Sequence, residues 1–367
     1  MEIWVPYGEV ESLVTLMQEN LGETIDPKPE SHLEEIVATL SEKLKGVEKV
    51  FICDQKPATL KVVKAVLKVT PKDGMKFYSS NPRRVEVAVP ELKDAVEKLR
   101  PMGEAPQASE GKEGKLSTDV SGPEKKFAIS TGEPDPLFGF VDAPVALALA
   151  CISGTRRLAF KKRDGDAPQL LREDSPSYAA VLQECEGIKD ASYSTIIPRG
   201  GEPYSVVEGD SVRQARANYL APEVPQTKGM VVGAGGRGHD ETLSHAIRLA
   251  LGALKGVKKG GEIVLVAECR DGVGSEALQM YLTGRIMESF LKKGSYVDGL
   301  EEISYVTDLR ERYSVTLLSS LPELYAGGKL KFKTARGSGE ALGKVFSAIG
   351  RTAKLNVVTR ACETVIP

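Results

Sequence analysis

The chain has 367 residues, with 49 lysines and arginines against 51 aspartates and glutamates, a net charge of −2. That balance argues against a nucleic-acid or membrane-surface protein, and no stretch approaches the ~18 apolar residues of a membrane span. The length is enough for two or three domains.

No basic stretch followed by an apolar one opens the chain, so no signal peptide is read. The five cysteines (Cys53, Cys151, Cys185, Cys269 and Cys362) are scattered and odd in number. They read as reduced thiols of a cytoplasmic protein.

In chain order, Ile3 to Val5 form a first strand stopped by Pro6 and Gly8. Residues 30–44 carry Leu33, Ile36, Val37, Leu40 and Leu44 at helical spacing. A strand over 50–53 breaks at Asp54, and Pro57 opens a helix to about 69. Residues 75–80 read as a strand and 90–99 as a short helix. Residues 101–126 hold Pro, Gly, Ser, Glu and Lys with almost no apolar residues, a linker or insertion. A strand over 127–130 runs into TGEPDPLFGFVDAPVAL, a Pro- and Gly-rich loop with several acids. Lys161 to Arg163 read as a solvated turn. A helix over 175–187, a hairpin around PRGGE and a helix over 210–219 follow. The proline-rich APEVPQ suggests a boundary dividing the chain into domains 1–220 and 221–367.

The second half alternates. Met230 to Val232 form a buried strand, followed by Gly233, Gly235, Gly236 and Gly238 and then a helix with Asp240 as its expected N-cap. Strands over 262–267, 314–318 and 355–358 alternate with helices over 275–291, 321–325 and 339–349. Such alternation predicts an α/β fold, two domains of mostly parallel sheet covered by helices, with a ligand cleft between them. Ligands in such sheets bind beyond the carboxyl ends of strands, which puts Asp54, Gly235, Gly236, Asp240, Asp271, Gly272 and Gly274 on ligand loops. Gly233 to Gly238 also satisfy G-x-G-x-x-G. The nearest acid at a strand end, Glu268, falls about 30 residues on rather than about 20, so the turn reads as packing rather than as a dinucleotide site. Asp54, Asp135, Asp142, Asp240 and Asp271 could form an oxygen-rich metal site, but five acids over four loops is an ordinary count, and the metal is left unassigned.

GGEIVLVAECRDGVGSE (260–276), the Gly-Gly and Asp within 235–248, VPYG near the start, CDQKP, Glu133-Pro134-Asp135 through Gly139-Phe140, and TIIPRGGEPYSVVEGD occur in the order of matching segments of a known family. The sequence resembles the nickel-dependent lactate racemases. The resemblance implies a nickel pincer nucleotide tethered through a lysine, a histidine on nickel, and two histidines that exchange the substrate α-proton. The departures fall on those groups. VDAPV stands where the tethering lysine belongs, and Asp135 replaces one catalytic histidine. SSNPRR has no histidine for the other. Arg248 replaces a substrate-contacting lysine, and Ser244 a tyrosine. His239 and His245 have a spacing that does not put both on one helical face.

The reading is a diverged relative that binds a small hydroxy acid or other carboxylate, either a racemase or epimerase or a non-catalytic anion-binding or regulatory module. Asp135 and His239 are the candidate acid/base groups, and Lys56, Ser244 and Arg248 the substrate contacts. The cofactor is unassigned. The partner is a small carboxylate, with neither nucleic acid nor membrane. Arg248 sits among apolar neighbours and needs a carboxylate partner, either internal (Glu268 or Asp271) or from a ligand.

Overall fold

A computed structural model describes residues 1–99, 117–208, 211–292 and 295–367. Most of the expected 101–126 linker lies outside them. The chain forms two compact units, Lys28–Asn218 and a second made of Met1–Pro27 with Tyr219–Pro367.

Lys28–Asn218 is built on a six-stranded sheet. Its order is Glu202–Val207, Ala191–Arg199, Lys126–Thr131, Lys49–Ile52, Lys76–Ser79, Val96–Lys98. All neighbours are parallel except the hairpin pair at the Glu202–Val207 edge. All six residues of Lys126–Thr131 are buried. A strand covered on both faces has no polar alternation. Phe127 and Ile129 join Ile36 and Leu40 of helix Leu33–Lys43 and Val62, Val63 and Val66 of helix Pro57–Leu67 in one core. Helix Ala143–Cys151 also packs on this strand.

The second unit carries the order Lys333–Ala335, Ser314–Leu318, Val257–Val266, Thr227–Gly233, Leu355–Val358, Leu21–Ile25, parallel throughout. The hairpin of Glu2–Tyr7 and Val10–Thr15 places Ile3, Val5 and Val14 against Val231, Val266 and helix Ser338–Ile349.

The first 27 residues therefore belong with the C-terminal half, unlike the expected division at 220. Asn356, buried in the adjacent strand, fixes them there. Its Oδ1 accepts from Glu23 N–H at 2.9 Å, and its Nδ2 donates to the carbonyls of Pro225 and Gly256. Gly22 is needed beside it, since a Cβ there would lie 2.3 Å from Asn356 Oδ1.

Other local expectations change too. Residues 90–99 form a single 3-10 turn, Pro90–Leu92, and a strand, Val96–Lys98. The helix lies earlier, at Pro82–Ala88, where Asn81 Oδ1 accepts from Arg84 N–H and Pro82 fills the first turn. Asn-Pro is a start signal of this kind. The helix expected over 275–291 ends at Leu282, with Gly284 in the left-handed region (φ 81°) just beyond it. Helix Leu300–Arg312, the most extended of the described helices, was not anticipated. Lys161 and Lys162 end a helix, Thr155–Lys162, rather than forming a turn.

Candidate functional site

Each sheet reverses its winding once. From Lys49–Ile52 the chain of Lys28–Asn218 adds strands to one side, then crosses to Lys126–Thr131 on the other. From Thr227–Gly233 the second sheet grows outward to Lys333–Ala335 and then returns to Leu355–Val358. A crevice beyond the carboxyl ends of strands at such a switch point is where open α/β sheets bind ligands.

In the second unit that crevice is filled by the protein itself. A Cβ on Gly233 would lie 2.4 Å from both Thr359 O and Val5 Cγ1. One on Gly235 would lie 2.3 Å from Cys362 Sγ, and one on Gly236 2.9 Å from Pro6 Cβ. The glycines let the Val5–Pro6 turn and Cys362 approach the backbone closely, which is packing and not a phosphate cradle.

Asp240 does not cap the following helix. Thr242 does, through Oγ1 to His245 N–H, and the helix is Leu243–Ala250. Asp240 is fully buried, and its Oδ2 accepts from Gly8 N–H at 2.7 Å and Glu268 N–H at 3.1 Å. It ties the first hairpin to the end of strand Val257–Val266. Around it stand Tyr7, Gly8, Glu268 and Cys269, which the sequence did not single out as site residues. Burial and the nearby Glu268, Cys269 and Asp240 push the Tyr7 hydroxyl up to about 12. Cys269 has a left-handed φ of 53°, costly for a non-glycine residue. Arg270 pairs with Glu241 at 2.8 Å and Glu9 at 3.7 Å, and Arg237 with Glu9 at 3.3 Å, so this rim is charge-balanced.

The remaining candidates of this unit lie nearby. Ser244 Oγ sits where a Cβ on Gly274 would be, and Gly272 faces open space. Asp271 N–H donates to Glu241 O at 2.8 Å, leaving its exposed side chain outside that bond. His239 is buried, and its ring centroid lies 6.3 Å from that of His245. The two rings come together because His239 precedes the helix rather than sharing it. Arg248 finds an internal carboxylate, but the partner is Glu302 (Nε to Oε1 3.6 Å) on helix Leu300–Arg312, not Glu268 or Asp271.

In Lys28–Asn218 the switch point is lined by polar groups. Lys56 is buried, and its Nζ donates to Glu133 Oε2 at 2.9 Å. Asp54 Oδ1 accepts from Lys56 N–H at 3.0 Å and Oδ2 from Thr131 N–H at 2.6 Å, joining the ends of the two central strands. Burial raises the Asp54 carboxyl above its ordinary value, and Lys56 opposes the rise. Gln55 Nε2 donates to Ser79 Oγ and Ser80 Oγ at 3.0 and 3.3 Å. Helix Pro57–Leu67 starts here, so its positive dipole end lies at the same place.

Asp135 is buried in a turn, with Oδ1 accepting from Leu137 N–H at 2.8 Å and Phe138 N–H at 3.2 Å. Asp142, in the segment where the resemblance places a lysine, is fully buried, caps helix Ala143–Cys151 and accepts from the Tyr178 hydroxyl. Both carboxylates do structural work. The five loop aspartates divide between the two units. No group of three His, Cys, Asp or Glu among the described residues is placed to hold a metal ion.

Among solved structures, the lactate racemase apoprotein from Thermoanaerobacterium thermosaccharolyticum superposes with a TM-score of 0.74 at 15% identity, covering 100% of both chains. The chain has the fold of a lactate racemase. A protein from Thermotoga maritima superposes with a TM-score of 0.62 at 13% identity, over 94% of this chain and 100% of that one. No family model matches the sequence, and no curated protein does. Among the described residues, no helix of this lactate-racemase-like chain is long and apolar enough to cross a membrane.

Proposed function

We propose that this chain is a lactate-racemase-fold protein that binds a small carboxylate, such as a 2-hydroxy acid, without a tethered nickel nucleotide. The observation that carries the reading is the polar switch point of Lys28–Asn218. There Lys56, the Gln55 amide and the start of helix Pro57–Leu67 supply cationic and N–H groups beyond adjoining strand ends. A ligand carboxylate would compete with Glu133 for the Lys56 ammonium and face the positive end of the helix. Its hydroxyl would find Glu133 as an acceptor.

The nickel nucleotide does not fit the residues present. Asp142 occupies the tethering segment and is committed to a helix cap and a tyrosine hydroxyl. Asp135 replaces an imidazole and is committed to a turn. That imidazole is one of the proton-exchanging pair the resemblance implies, so its loss bears on proton exchange beside the cofactor. The loss of the histidines favours a binding or regulatory role over racemisation, since proton exchange near neutral pH calls for a group that titrates there.

The test is a thermal-shift and calorimetric series with D- and L-lactate, glycerate and malate. Wild type should be stabilised by at least one of them. The pair Lys56→Gln with Glu133→Gln, which removes both members of the ion pair together, should remain folded and lose the effect. Equal shifts in wild type and the double variant would place binding elsewhere, and no shift with any acid would reject the reading for this class.

A further inference from the structure

The unit Met1–Pro27 with Tyr219–Pro367 contains a cleft of about 950 Å³ far from its glycine turn. Arg310, on its wall, lies just before the amino end of strand Ser314–Leu318, and Lys331 just before that of Lys333–Ala335. The cleft therefore opens at the amino-terminal edge of the sheet, opposite the carboxyl ends described above.

Its walls combine two features. Met287, Leu324 and Tyr325 line it as large hydrophobic side chains left 67%, 83% and 41% exposed. Exposed apolar surface gathered around a concavity marks a binding site more often than scattered exposed residues do. The rim is cationic. Arg310 is matched by Glu288, and also donates to the Tyr281 hydroxyl and the Lys329 carbonyl. Lys329 and Lys331 form no close ion pair among the described residues, though Lys331 stands near enough to Glu288 to help lower its carboxyl, and the Lys329 ammonium stands 5.0 Å from the Tyr281 ring centroid. Lys331 is held in the left-handed region at φ 59°, an arrangement that is costly without glycine and that collects at ligand sites.

We propose that this cleft binds an aromatic carboxylate, with the ring lying among Met287, Leu324 and Tyr325 and the carboxylate meeting Lys329 and Lys331. The apolar wall suits an apolar body, the exposed Tyr325 ring favours a flat one, and the two ammonium groups without a close ion pair suit an anion. The proposal is independent of the reading at Lys56, because it concerns a different place and a larger ligand.

Isothermal titration of the full chain with 2-naphthoate, and with the uncharged 2-naphthalenemethanol, tests it. One saturable site for 2-naphthoate is expected, unaffected by excess lactate. Lys329→Met with Lys331→Met should weaken 2-naphthoate about tenfold and leave the alcohol unchanged. Leu324→Asp, at an exposed position, should fold normally and weaken both ligands. Absence of saturable binding, or binding untouched by these substitutions, would overturn the proposal. Sedimentation velocity supplies a further check. A dimer that Leu324→Asp dissociates would show that a second copy of the chain covers the cleft, and would overturn it as well.

Discussion

Asp240→Ala should lower stability by about 3–5 kcal/mol, because each charge-assisted hydrogen bond to a carboxylate is worth roughly 1.5–3 and two are lost. The donors, Gly8 N–H and Glu268 N–H, lie on different segments, and the carboxylate that joins them is fully buried. Nothing else can enter to pair them without a rearrangement of the Tyr7–Gly8 turn. Asp240→Asn keeps one acceptor oxygen at the same place and should cost far less, about 1 kcal/mol. Urea unfolding of the three proteins measures both numbers. A loss below about 1 kcal/mol for alanine would mean that the hairpin does not depend on this stitch.

Arg248→Met should cost about 3 kcal/mol, because it removes the guanidinium that faces the buried Glu302 carboxylate. Glu302, its partner, has a side chain only 3% exposed, and a Ser275 hydroxyl on its other oxygen cannot replace a guanidinium. Adding Glu302→Gln should recover most of the loss. If Arg248 instead clamps a ligand, Arg248→Met would keep or raise the melting temperature of the ligand-free protein while stabilisation by hydroxy acids disappears. Thermal shifts of the single and double variants, with and without these acids, separate the two roles.

The parallel sheets and their covering helices were legible, because buried strands such as Met230 to Val232 and amphipathic helices such as Leu33–Lys43 carry their period in the residues. What was not legible depended on long-range pairing. Leu21–Ile25 has little to mark it as a strand, and only the edge offered by Leu355–Val358 and the amide of Asn356 make it one. The first 27 residues were consequently placed in the wrong unit. Helix Leu300–Arg312 is hard to read although Ile303, Val306 and Leu309 supply a buried face, since Glu301, Glu302, Asp308, Arg310, Glu311 and Arg312 dilute the pattern.

The candidate site shows the same limit. Local sequence identified Lys56, Asp54, Asp135 and Asp240 as loop residues at strand ends. It could not show that Asp240 spans to Gly8, that Lys56 meets Glu133, or that Arg248 meets Glu302, because those pairings join segments far apart in the chain. For the G-x-G-x-x-G turn the missing acid about 20 residues on already favoured packing over a dinucleotide. The positions of Val5, Pro6 and Cys362 decide for packing.

A lactate-racemase fold that works without the tethered nickel nucleotide can be checked by intact-mass spectrometry of the protein co-produced with the enzymes that make and load that cofactor. The account predicts the mass of the unmodified chain and no bound nickel. A covalent adduct of nucleotide mass would contradict it, and peptide mapping would then begin with Lys161 and Lys162, the lysines that close helix Thr155–Lys162 beyond the Asp142 segment.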